Sequence, residues 1–168
     1  LYLSSMNRKR LNFEAMRDSM LQVSGELDLT MHGPSQKLHS KPYSKRRAVY
    51  GYIDRQNISP TLNSFDFANP NIHAPQRVET TVPQQALFAF NHPFVIERSA
   101  TLAKKAFDSR TANPSSQVEF LDRQSLSRDP RQDESKLSVE FIGTDAKLAN
   151  FEDLAQTLLV SNEFFFTD

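Results

Sequence analysis

A chain of 168 residues suits a single domain with room for a real core, although apolar residues make up only 38% of it and thirteen Phe must supply much of the buried area. Twenty Lys and Arg balance twenty Asp and Glu, so no global field points to nucleic acid or to an anionic membrane. The absence of cysteine excludes disulfides, thiolate metal sites and a cysteine nucleophile within this chain, and no apolar run is long enough to span a bilayer.

The leading stretch LYLSSMNRKRL lacks the order of a signal peptide, and the chain reads as a fragment of a longer protein that forms one domain over 1–168. Asn12 is a good N-cap, and Phe13, Met16, Met20, Val23 and Leu27 recur at helical spacing, with Gly25 either a C-terminal stop or a late interior residue. An amphipathic helix over 12–24 follows, with Arg17, Asp18 and Gln22 on its opposite face. From Thr30 to Arg47 periodicity vanishes and Gly33, Pro34 and Pro42 make an extended loop. Residues 48–54, AVYGYID, alternate weakly as a short strand would, with a helix start as the alternative reading. Residues 57–77 are turn-rich, with one helical turn over 61–65.

The densest helical signal runs from Thr80 to Phe107. Thr81 is placed to cap a first helix, with Gln84 reaching back as in a capping box, and Pro93 ends that helix and opens a second. Ala86, Leu87, Phe88, Ala89 and Phe90 are apolar on nearly every side and predict a buried hub, whereas Val95, Ile96, Ser99, Ala103, Ala106 and Phe107 predict an amphipathic cover. Residues 108–136 are polar and read as a flexible loop around a short helix at 117–124, and Leu137, Val139 and Phe141 alternate as a strand might. Asn150 then caps a last helix with Phe151, Leu154, Ala155, Leu158 and Leu159 as its buried stripe. The fold class is therefore mainly α, an irregular helical domain with long Pro-rich loops and at most a minor β element.

The succession RKRLNFEAMRDSMLQVSGELD, GPS, KRRAVYGYIDRQN, FDFANPN, TTVPQQALFAFNHPFV and LLVSNEFFFTD resembles a C-terminal domain of unknown function, number fifteen-fifty-three, found in large planctomycete proteins. The resemblance runs from about Asn7 to Ala103 and over the last helix. It places Arg10, Arg17, Asp18, Gly25, Pro34, Arg47, Asp66, Pro70, Asn71, Thr81, Pro83, Gln84, Ala86, Leu87, Asn91, Pro93, Phe94, Asn162, Glu163 and Phe164 on the family's characteristic positions. Between Phe107 and Asn150 the pattern departs from that family, which usually shows an Arg- and Leu-rich helix followed by a Pro-Thr-Glu helix start; SSQVEFLDRQ alone hints at the latter. Either a helix has been lost or part of the natural chain is absent. The resemblance implies export to the periplasm or cell surface and a multidomain setting in which a cytochrome-c-like module, and any haem, lies upstream. It implies no reaction.

Candidate chemistry is sparse. His32, His39, His73 and His92 lack ligand spacing, and His92 before Pro93 suits a capping role better than a metal. Asp66, Asn69 and Asn71 offer oxygen ligands, but Asx-turns account for them equally well. Lys37, Lys41, Lys45, Arg46 and Arg47 form a run of one sign, a candidate anion-binding loop for phosphate, sulfated glycan or an acidic partner. Arg17, Asp18, Arg47, Asp54, Arg55, Asp66 and Arg77 form a candidate buried polar cluster at the loop crossing.

No catalytic spacing, metal set or cofactor motif stands out, so the leading expectation is a non-catalytic scaffold or interaction domain packed against upstream modules of the same polypeptide. The alternative is the C-terminal part of an extracellular polysaccharide-acting enzyme completed by another domain, and glycan binding through the basic loop is a third class.

Overall fold

The computed structural model describes residues 8–109, 113–143 and 146–167. The leading LYLSSMN, read above as lacking signal-peptide order, lies outside them. Eight helices and a two-stranded sheet are present among the described residues: β1 (Lys9–Arg10), α1 (Phe13–Val23), α2 (Pro60–Ser64), α3 (Pro83–Asn91), α4 (Pro93–Phe107), α5 (Pro114–Leu126), α6 (Gln132–Ile142), α7 (Leu148–Leu159), α8 (Asn162–Phe165) and β2 (Phe166–Thr167). The strands pair antiparallel, Lys9 opposite Thr167 and Arg10 opposite Phe166, so the two ends of the described chain meet. The fold is mainly α, as expected.

α4 and α7 form the principal helix pair. Ala103 and Ala106 on one and Ala155 on the other are fully buried, and such small side chains let the two axes approach closely. Leu102, Phe151 and Leu159 fill the space beside them, with Val118 and Leu121 of α5, Ile142 of α6 and Met16, Met20 and Leu21 of α1 completing one continuous core. α1 begins as expected, Asn12 Oδ1 accepting from the Ala15 N–H at 2.9 Å. It ends in a Schellman motif: Gly25 at φ +67 lets its own N–H reach Gln22 O at 2.9 Å and the Glu26 N–H reach Leu21 O at 2.8 Å.

The expected roles of α3 and α4 are reversed. α4 is the hub, with Phe94, Val95, Arg98, Ser99, Leu102, Ala103 and Ala106 buried along a continuous stripe. α3 is a cover that buries only Gln85 and Ala89, and Phe90 is 57% exposed. A nine-residue helix that is apolar all round does not reveal its inward face, and here a polar residue takes it: the Gln85 side-chain amide donates to Ser64 O at 2.8 Å and Thr80 O at 3.1 Å. Those bonds satisfy the amide, which is what makes its burial tolerable. Ile96 and Phe107 of α4, expected on its stripe, are exposed. The helix start also differs, since Val82 holds the N-cap position without a side-chain bond, and Thr81 makes no cap.

Residues 108–136, expected to be mostly loop, instead form α5 and the start of α6, and the expected strand over 137–141 lies inside α6. Asn113 caps α5 through the Ser115 N–H at 3.0 Å, and Pro114 occupies its first turn. At the start of α6 the Arg131 N–H donates to the Glu134 carboxylate at 2.8 Å, half of a capping box. The last long helix starts at Leu148, two residues before the expected cap. Asn150 instead donates its side-chain amide to Ile142 O at 2.8 Å, satisfying an orphan carbonyl at the end of α6. The expected strand at 48–54 is a short 3-10 turn, Ala48–Tyr50, followed by extended backbone bridged to Gln36 at Gly51.

Burial sets the expected cost of truncation. Phe151→Ala, at a fully buried ring against Phe107, should lower unfolding free energy by about 3–5 kcal/mol, and Phe90→Ala by under about 1 kcal/mol. Denaturant titration of the two variants checks the ranking.

Candidate functional site

The site is built around Arg17, whose side chain lies in the interior rather than on the solvent face of α1. It is 1% exposed and packs with its guanidinium carbon 5.4 Å from the centre of the Phe94 ring of α4. From there it donates to Asp18 Oδ1 at 3.1 Å, to Arg46 O at 2.9 Å and, through Nη2, to Ser44 O. Asp18, the next residue, accepts from the Ala48 N–H with both oxygens, at 2.8 and 2.9 Å. One acid and one base on α1 thus hold the backbone of the long loop at 44, 46 and 48. Burial depresses the Arg17 pKa, with Asp18 opposing the shift.

The rest of the expected polar cluster is dispersed. Asp66 pairs with Arg10 at 2.9 Å and accepts from the Thr80 hydroxyl at 2.6 Å, and Arg77 makes a two-pronged pair with Glu14 at 2.7 and 2.9 Å. Asp54 accepts from the Gln56 N–H at 3.0 Å, while Arg55 donates to Pro70 O at 2.8 Å. Asn69 closes an Asx-turn on the Asn71 N–H at 2.9 Å, the bland account of that trio.

The basic run disperses as well. Lys41 meets Glu97 at 2.8 Å and Lys45 meets Glu26 at 2.9 Å. Arg46 turns inward, donating to Thr30 O at 2.8 Å and to His32 O, with its guanidinium carbon 3.9 Å from the Tyr50 ring centre. Among the described residues, Lys37 and Arg47 have no acceptor, and both are exposed.

Two of the four histidines, His39 and His92, serve packing, and His32 and His73 are exposed. His92 Nδ1 accepts from the Phe94 N–H at 3.2 Å, the capping role its position suggested, and its ring stacks on Phe88 at 4.3 Å. His39 lies 5.4 Å from the Phe13 ring centre, and burial lowers the pKa of both imidazoles. Among the described residues no group of three His, Asp or Glu side chains is placed to hold a metal ion.

Three concavities adjoin, and two of them lie along the outer face of α1, where Ala15, Asp18, Ser19 and Gln22 recur at helical spacing. The first, about 330 Å³, lies between Lys37, Tyr52 and Asp54 and shares Leu38, Ile53 and Leu62 with the second, about 490 Å³. The second shares Ala15, Asp18 and Arg47 with the third, about 540 Å³, which ends at Leu126, Phe164 and Phe166. Of the sequence-derived candidates, this trough collects Asp18, Arg47, Asp54 and Lys37. Reading the charged residues alone missed its apolar walls, and no local pattern marks Leu38 in a stretch without periodicity.

A second polar group borders the third concavity, which Glu163 lines. Asp122 of α5 is 3% exposed, and burial raises its pKa to about 6 against the pull of Arg128. Arg128 bridges Glu134 of α6 at 2.7 Å and Glu163 of α8 at 2.5 Å, which holds Glu134 down to about 2.

The sequence matches the family described as PSD1, protein of unknown function (DUF1553), over residues 1–142. No curated protein and no solved structure matches the chain.

Removing the Arg17 side chain takes the cation from Asp18 and frees two backbone carbonyls, those of Ser44 and Arg46. Arg17→Ala should cost about 3–5 kcal/mol and open residues 35–47 to protease, read by denaturant titration and by mapping the first cuts. For Asp122 the folded value lies above the ordinary 3.8, so its stabilising contribution is full below about 3.8 and lost as pH rises through about 6. Between pH 4 and 6.5 the stability of Asp122→Asn should therefore gain on that of the parent protein, by about 2 kcal/mol in total, in melts run across that window.

Proposed function

Because the chain belongs to the PSD1 family of proteins of unknown function, we propose that it is a non-catalytic interaction domain whose α1 trough packs against other modules of a larger assembly. The observation that carries the reading is the trough itself: three adjoining concavities, two of them along α1, whose wall holds the partly buried Ile53 and Phe67 beside the buried Leu38 and Leu62. Apolar side chains left partly exposed in a concave wall gain free energy when a partner covers them. The family resemblance supports the setting we assign: an exported planctomycete polypeptide of several modules, at the periplasm or cell surface, with any haem carried by an upstream cytochrome-c-like module and none by this chain.

In this reading α4 and α7 supply rigidity, the Arg17–Asp18 pair fixes the loop that forms one wall, and the partner is another part of the same polypeptide. Among the described residues no helix is long and apolar enough to cross a membrane, and the proposal needs none.

Hydrogen exchange on the chain alone and within its parent polypeptide tests the proposal. Residues 15–22 and 47–54 should exchange more slowly in the parent, whereas the α4 interior should be unchanged. Equal exchange in both contexts would overturn the proposal. Turnover of a glycan by the isolated chain, or a stoichiometric metal in it, would overturn it in favour of an enzyme.

A further inference from the structure

Two of the four histidines belong to one row of rings. His39 lies 5.4 Å from Phe13 of α1, Phe13 lies 5.8 Å from Phe88 of α3, Phe88 stacks at 4.3 Å on His92, and His92 lies 5.8 Å from Tyr43. The row therefore leaves the long loop at His39 and rejoins it at Tyr43. Between those points Lys41 pairs with Glu97 of α4 at 2.8 Å, and beyond them Arg17 and Asp18 hold residues 44, 46 and 48. Residues 38–48 are thus a strap fastened to α1, α3 and α4, and each of its two ring fastenings contains an imidazole. Tyr43 also meets the Phe94 ring edge-on at 5.5 Å, and the Phe94 N–H is the group that His92 caps.

Neither imidazole takes a proton without loss. His92 Nδ1 accepts from the Phe94 N–H at 3.2 Å at the start of α4. A proton on Nδ1 replaces that acceptor with a donor and sets a positive charge at the positive end of a 15-residue helix. Lys41 of the strap opposes the charge and Glu97 of α4 favours it. The face of Phe88 favours it too, but a lost cap and an opposed dipole act together against it. His39 Nε2 is shielded from solvent and has no hydrogen-bond partner among the described residues. Arg17 of α1 and His92 face it, and Lys37 and Asp54 line the first concavity with it. A proton there adds a cation beside a buried guanidinium. Burial first, then Arg17 at His39 and Lys41 at His92, lowers both from the ordinary 6.5.

We propose that residues 38–48 form an acid-released strap, in which protonation of His39 and His92 undoes both ring fastenings and opens residues 38–43, while Arg17 and Asp18 keep residues 44–48 in place. An open strap binds protons at the ordinary value, so closure is fully favoured above about 6.5 and weakens as pH falls below it. Leu38 lines the first two concavities, so opening reshapes their shared wall. The device stands on the strap's own contacts and does not need a partner in the trough.

Global melts would mix this effect with that of Asp122, which runs in the opposite direction with pH, so the test is local. Papain is allowed to cut the whole chain at pH 7.5 and at pH 5, each rate divided by that for a free peptide spanning 36–46. Cutting within 38–43 should rise about tenfold at the lower pH, with the helices uncut. The double variant His39→Phe, His92→Asn keeps a ring at one site and a capping acceptor at the other, and its cutting should change less than about twofold. No rise in the parent protein, or an equal rise in the variant, would overturn the proposal. Should the variant not fold, imidazole proton resonances of the parent decide: His39 and His92 should take up protons below pH 6.5, over the same range in which cutting rises. Protonation without opening, or opening before either ring is protonated, would equally overturn it.

Discussion

A guanidinium buried under the first helix is the constraint on which the loop half of this protein depends. Transferring a charge out of water is costly unless acceptors surround it. Arg17 meets that condition with one carboxylate and two backbone carbonyls, leaving Nε alone without a partner. The carbonyls belong to a stretch with no helix and no sheet of its own, so the same bonds that make the charge tolerable give the stretch its path. The Phe94 ring behind the guanidinium, shared with Arg98 at 5.3 Å, ties this arrangement to the central helix. Loop and helical core are therefore one cooperative structure, and the loop between 35 and 47 does not wait for a partner to order it.

That arrangement explains where the sequence was legible and where it was not. Helix α1 could be read because its cap, its apolar repeat and its terminal glycine agree. Arg17 could not, because a periodic pattern assigns a charged residue to water unless its acceptors are known, and here they arrive from residues 44 and 46. The exchange of roles between α3 and α4 has a related cause. Phe, Leu and Ala on every side of α3 suggest burial, yet a helix in contact with the core on one side must expose the rest. α4, with fewer large residues, buries alanines against Ala155 of α7 and gains from closeness what it lacks in side-chain size. Apolar content measures what a helix can bury, not what its neighbours allow.

The polar stretch after Phe107 failed for the opposite reason. Alternation over five residues, Leu137 to Phe141, fits a strand and also fits a helix that leaves Leu137 and Phe141 exposed on one face and buries Ile142 on the other. What decides between them lies outside the window: the Glu134 carboxylate beneath the Arg131 N–H, and Arg128 holding Glu134 while it reaches Glu163, 35 residues on in sequence. Local charge reads as solvation until its distant partner is known. The family match, extending through residue 142, includes this region and is consistent with a folded element there.

The same argument governs the candidate site. Five cations within eleven residues look like an anion platform, but three are matched by residues that no local reading connects to them, Glu97 on α4, Glu26 after α1, and the carbonyls of the neighbouring loop. Charge density along a chain is thus not surface potential, since folding spends charges on internal contacts unevenly. What survives is selected by geometry: Arg47 stands beside the outer face of α1 and Lys37 in the adjoining concavity, and Asp18 near Arg47 already accepts from the Ala48 N–H. Asp18 is turned to Arg17 and the Ala48 N–H, and Arg47 shares its concavity with Glu14 as well. The charge a partner would meet is therefore set by which groups folding leaves at the surface, Glu14 and Glu163 as much as Arg47, and not by the sign of the run that builds one wall.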